Sequence, residues 1–143
     1  MKKKLLVILL AIIVGFSFSY IMYLKPKKDN IVWVDAKAFQ VGVFSGYDNA
    51  LKCAERNNGI VIEDNNMYRV YISILSNEEA IKYLSNYYDS KGINYYIKNI
   101  KVNRLFIWKI KKYEDDIIKH DDAIYLETNI NILKEYQEYK WVI

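Results

Sequence analysis

Apolar and polar residues alternate in two matching stretches of this chain, and each alternating run leads straight into a helical pattern. In FQVGVFSGYDNALKCA, beginning at Phe39, the residues Phe39, Val41 and Val43 alternate with Gln40, Gly42 and Phe44, the period of a strand with one buried face. Ser45 is placed to cap a short helix with an apolar stripe of Ala50, Leu51 and Ala54, and Asn57, Asn58 and Gly59 end it. GIVIE supplies a second strand, and Asp64, Asn65 and Asn66 form a turn. The second copy, YRVYISILSNEEAIKYL from Tyr68, alternates Tyr68, Val70, Ile72 and Ile74 with Arg69, Tyr71 and Ser73. Ser76 and Glu79 have capping-box spacing, Ala80, Ile81, Leu84 and Tyr88 form the helical stripe, and Gly92 stops it. INYYIKNI is the fourth strand, with Ile93, Tyr95 and Ile97 on one face.

This order predicts an α+β fold, a ferredoxin-like βαββαβ unit. Right-handed crossovers bring the strands into a four-stranded antiparallel sheet with two helices on one face and the first and third strands at its centre. The helix-covered face takes the aliphatic positions. The opposite face shows Gln40, Arg69, Tyr71 and Tyr96, with Ser73 beside them. Tyrosine rings that stack on sugars, helped by amide and guanidinium hydrogen bonds, make that face a candidate carbohydrate platform. A one-residue slip in register would instead bury these side chains.

The flanks add two further parts. Twenty uncharged residues, Leu5 to Leu24, are long enough at about 1.5 Å each to cross a hydrocarbon core of roughly 30 Å, which predicts an N-terminal transmembrane helix. Lys2, Lys3 and Lys4 precede it, and Lys25, Lys27 and Lys28 follow. The N-terminal amine tips this symmetric pattern towards a cytoplasmic N-terminus and an extracytoplasmic remainder. A cleaved signal peptide ending near Ser17 or Ser19 is the competing reading, opposed by the apolar run continuing to Leu24. After the domain, Phe106, Ile110, Tyr113 and Ile117, then Leu126, Ile130 and Leu133 beyond the acidic break at Asp121 and Asp122, have helical spacing. This predicts two helices, either packed on the domain or forming an arm for a partner or a second copy. The expected organisation is therefore an anchor with its basic flanks over 1–28, a linker over 29–37, the domain over 38–102 and a helical tail over 103–143. Trp33 in the linker is either an aromatic anchor at the lipid headgroups or part of an extra strand.

Charge changes the picture once it is divided by segment. The chain carries 21 Lys and Arg against 17 Asp and Glu, but six of those lysines flank the apolar run. From Asp29 onward, 15 positive residues face 17 negative ones, which argues against a nucleic-acid partner. The flanking lysines suit lipid headgroups. Cys53 and His120 are the single cysteine and histidine. They offer no disulfide, no metal-ligand spacing and no nucleophile paired with a base, so the sequence implies no cofactor, no metal and no enzyme.

FQVGVFS with Asn49 and Ala50 in the next helix, YRV at Tyr68 to Val70, and SNEEA at Ser76 to Ala80 together resemble the SPOR (sporulation-related repeat) domain of bacterial cell-envelope proteins. The resemblance covers residues 38 to about 100. It implies a module anchored in the bacterial cell membrane that binds peptidoglycan glycan strands lacking stem peptides, at division or sporulation sites, through the open sheet face. Gln40 matches the first-strand glutamine of the pattern and Arg69 the YRV arginine, as ligand contact or structural ion partner. The pattern departs from the family at Val43, where a serine is usual, and at Ile72 to Leu75, where Val-Gly-Pro-Phe is usual. The sequence leaves one other reading, a membrane-anchored protein-interaction scaffold acting through residues 103–143.

Overall fold

The computed structural model describes residues 31–119 and 124–140. Its elements run β1 (Trp33–Phe44), α1 (Tyr47–Asn57), β2 (Ile60–Asp64), β3 (Met67–Leu75), α2 (Glu78–Ser90), β4 (Tyr96–Asn103), α3 (Arg104–Lys119) and α4 (Tyr125–Lys140). All of them fall in the unit Val32–Ile143. The apolar run Leu5–Leu24 with its flanking lysines, the candidate processing site, His120, Asp121 and Asp122 lie outside the described residues. Among the described residues, no helix is long and apolar enough to cross a membrane.

Among the described residues the protein is α+β, with one antiparallel sheet of four strands in the order β2-β3-β1-β4 and four helices. The first and third strands are central, as the chain order predicts. β1 starts earlier than the alternation suggests: Trp33 to Lys37 pair with Asn99 to Asn103 of β4. Residues 33–37 are therefore strand, and Trp33 sits at its start.

Local chemistry sets the element ends. Asn65 and Asn66, with φ of 53° and 60°, make the two-residue link between β2 and β3, where both positions need the left-handed region that asparagine tolerates. Asn58, also left-handed, closes α1. Gly59 follows because a Cβ there would lie 2.7 Å from the Tyr71 carbonyl oxygen. The N-caps differ from the sequence expectation. Gly46, not Ser45, precedes α1 and gives no side-chain cap. Asn77 caps α2, its Oδ1 accepting from the amides of Glu79 at 2.8 Å and Ala80 at 3.3 Å. Ser76 is drawn away from capping by Glu114.

Six consecutive residues of β3, Val70 to Leu75, are buried. Because neighbours on a strand point to opposite faces, both faces of this central strand are covered. On one side Val70 packs with Ala50, Cys53 and Ala54 of α1, and Phe39 of β1 meets Tyr88 of α2 edge-on at 5.4 Å. The tail supplies much of the rest. Phe106, Ile110 and Ile117 of α3 and Tyr125, Ile132 and Leu133 of α4 join the same core as Ala38, Phe39, Tyr71 and Ile74. Phe106 packs against Tyr136 at 5.4 Å, Tyr125 against Tyr87 at 4.9 Å, and Asn129 donates to the Tyr88 hydroxyl at 3.1 Å. Of the two arrangements the sequence allowed, the helices take the one packed on their own domain. The buried stripe of α4 is nevertheless rotated from the expected one. Thr128 and Asn129 point inward while Leu126 is exposed, because the facing Tyr88 hydroxyl asks for a polar partner.

One buried carboxylate ties the tail to the sheet. Glu114 of α3 accepts hydrogen bonds from the Ser76 amide, from the Asn77 amide at 2.8 Å and from the Ser76 hydroxyl at 3.0 Å. Removing it leaves two part-buried N–H groups without their acceptor, so Glu114→Ala is expected to lower unfolding free energy by about 2 kcal/mol, read as a shifted urea midpoint at unchanged slope. Ser73 gives the opposite case, since its hydroxyl is fully buried and makes no hydrogen bond. Ser73→Ala is expected to stabilise the protein by about 1 kcal/mol in the same assay.

Candidate functional site

Residues paired across a sheet share a face, and the pairing of β1 therefore locates the predicted platform. Gln40 pairs with Tyr71 of β3 and with Tyr96 of β4. Arg69 and Lys98, two positions along from Tyr71 and Tyr96, lie on that face too. The register brings together all four expected residues, Gln40, Arg69, Tyr71 and Tyr96. It does so through an irregularity between Phe39 and Gly42, where the ladder slips on each strand in turn. Phe39, one position before the slip, pairs with Ser73 and with Ile97, so Ser73 falls on the opposite face and not beside the tyrosines. The irregularity reverses the alternation that the sequence pattern carries through unbroken.

Position on a face does not make a side chain accessible. Tyr96 is 66% exposed, whereas Tyr71 is only 2% exposed, since α4 packs on β3 and brings Tyr71 into the core with Ile132 and Leu133. Burial raises the Tyr71 hydroxyl pKa, with the Arg69 charge opposing. Burial likewise pushes Tyr136 of α4 up to about 12, reinforced by the nearby Tyr71 and Asp64. Both phenols are therefore neutral hydrogen-bonding groups at any physiological pH.

Close to these hydroxyls lies an ion cluster that the periodicity does not reveal. Asp64, at the end of β2, accepts from Lys98 Nζ at 2.5 Å and Arg69 Nε at 2.8 Å on the same Oδ2, and Arg69 Nη1 donates to Gln40 Oε1 at 3.2 Å. One carboxylate thus faces two cations, leaving a net positive, partly exposed patch beside the Tyr96 ring. The Lys98 hydrogen bond, and then that of Arg69, holds the Asp64 carboxyl below its usual range against the opposing effect of burial. Lys98 was legible in principle, two residues after Tyr96 in an alternating strand. Asp64 reads in sequence only as a turn former.

The arrangement suits recognition of a neutral or anionic polar ligand by stacking and charge-assisted hydrogen bonds. Cys53 packs in the separate cluster of α1 with Val70. Cys53 is buried with Asn57 Nδ2 3.6 Å from its sulfur, and among the described residues no three His, Cys, Asp or Glu side chains gather as a metal-binding group. No family model, no curated protein and no solved structure matches this chain. The likeness to SPOR domains accordingly rests on the quoted motifs.

The Asp64 cluster carries a pH signature. A carboxylate whose pKa is lower folded than unfolded contributes stability above its unfolded value, near 3.8, and loses it as pH falls through the folded value. Asp64→Asn is expected to be less stable than the parent at pH 7. The difference should shrink from about pH 4 downward and at high salt, as followed by urea midpoints across that range.

Proposed function

We propose that this protein is a non-enzymatic, single-pass, membrane-anchored binding module of the bacterial cell envelope. Its extracytoplasmic domain recognises peptidoglycan glycan through the sheet face of Gln40, Arg69 and Tyr96. The reading takes the fold as ferredoxin-like, with α1 and α2 on the face of Val70 and Phe39 and the ligand on the part of the other face that α4 leaves uncovered around Tyr96. The observation that carries it is the exposed Tyr96 ring beside the Asp64–Arg69–Lys98 cluster. A sugar ring lies on Tyr96, and its hydroxyls meet the Gln40 amide and the outer guanidinium nitrogens of Arg69. Tyr71, covered by α4, makes no direct stack. Leu5–Leu24 supplies the anchor, which keeps the module at the bilayer and within reach of the wall.

A second reading draws on the closure of the sheet by the tail. With Tyr71 buried by α4, the platform is narrow, and an interaction scaffold that meets a protein partner or a second copy through α3 and α4 uses surface the domain still presents, such as Leu126.

The deciding experiment is a pull-down of the detergent-solubilised full chain with intact sacculi and with sacculi stripped of stem peptides. The glycan reading expects greater retention on stripped material. It also expects a roughly tenfold loss of affinity in Tyr96→Ala and in Gln40→Ala, equivalent to about 1.4 kcal/mol. A folded parent retained by neither material would overturn it in favour of the scaffold.

A further inference from the structure

The first half of α3 buries one side and exposes another that water does not favour. Phe106 and Ile110 point into the core, but Leu105 is 53% exposed and Trp108 is 70% exposed. With Lys112 they recur at three- and four-residue intervals along a single helical stripe. The charge of the stretch is one-sided. From Arg104 to Lys112 every charged residue is basic, namely Arg104, Lys109, Lys111 and Lys112, and the next charge, Glu114, is turned inward. Lys109 Nζ rests 5.8 Å from the Trp108 ring centroid. Lys101, just before the helix, is already neutralised by Asp35 at 2.6 Å, and Asp115 and Asp116 begin the acidic half of α3 beyond the stripe.

The same end of the domain receives the chain from its N-terminal side. The Arg104 amide donates to the Val32 carbonyl at 2.8 Å, and Trp33, half exposed, pairs with Asn103. Seven residues separate Leu24 from Val32, a span of at most about 28 Å even if fully extended. Chain length alone therefore bounds the reach from the apolar run to Val32, whose carbonyl meets the first residue of α3. At the other end of β4 stands Tyr96.

We infer that the N-terminal half of α3, with Trp33, is a second membrane contact: Leu105 and Trp108 enter the interfacial layer of an anionic bilayer while Arg104, Lys109, Lys111 and Lys112 engage its headgroups. Tryptophan favours that layer, and basic side chains beside it add attraction to anionic lipid. The inference rests on the membrane-anchored reading of the chain. Two contacts at one end orient the domain, with the strand ends bearing Trp33 and Asn103 towards the bilayer and the Gln40–Tyr96 surface away from it.

The test uses the full chain with Trp108 as its only tryptophan, through Trp33→Phe and Trp141→Phe, reconstituted into vesicles of phosphatidylglycerol and phosphatidylcholine. Folding is checked by circular dichroism. Brominated acyl chains are expected to reduce Trp108 emission roughly by half, with a smaller effect in pure phosphatidylcholine and in a variant that also carries K109E and K112E. If the chain floats with the vesicles but Trp108 is quenched by aqueous iodide and not by brominated lipid, the inference is overturned while the anchor stands. If the chain does not float with vesicles at all, the anchored reading fails and takes this inference with it.

Discussion

The Glu114 carboxylate is the interaction on which the rest of this domain depends. It lies almost wholly out of water and receives the amides of Ser76 and Asn77 at the start of α2, where free N–H groups and the helix dipole both favour a negative charge. A buried charge is tolerated only when its hydrogen bonds are made. The carboxylate therefore fixes α3 against the junction of β3 and α2. Fixing α3 sets its partner α4, α4 covers β3, and that cover decides which of the tyrosines on the sheet meets solvent.

The order of the strands, the first two helices and the sheet order were legible because they follow from periodicity and turn chemistry, although β4 runs from Tyr96 to Asn103 and not from Ile93 to Ile100. Phe39 to Val43, Tyr68 to Ile74 and the Asn65–Asn66 link carry local signals that mark them as strands and a turn, even though the pairing slip near Gln40 alters which face each side chain takes. Four things were less legible. Strand β1 begins at Trp33 because β4 extends to pair with it, and a residue cannot announce its partner's length. The Asn77 cap displaced the Ser76 one because Ser76 had a remote acceptor in Glu114. The inward Thr128 and Asn129 answer the Tyr88 hydroxyl, a need that apolar periodicity does not register. Ser73 changed face through a local slip in pairing that leaves no mark in composition.

The candidate surface divides along the same line. Gln40, Arg69, Tyr71 and Tyr96 share a face because strand alternation and pairing place them there. How much of each reaches solvent depends on helices distant in sequence. Asp64 came to its role through the fold alone: the turn that made it look structural also leaves its carboxylate at the edge of the sheet, where cations from two other strands converge. The tyrosines follow one rule. Those over the core, Tyr71, Tyr88 and Tyr125, are buried, and Tyr96, at the start of an edge strand, stays wet.

The sharing of one core by the first strand and the last helix has a consequence for how the chain is made. Ala36 and Ala38 belong to the same apolar cluster as Ile132 and Leu133, so no fragment ending before Leu133 holds the whole of it. A chain leaving the ribosome N-terminus first can form the β2–β3 hairpin early. It cannot close this core before α4 has emerged, and contacts of such long sequence separation form slowly. Closure of the core therefore waits on the synthesis of α4.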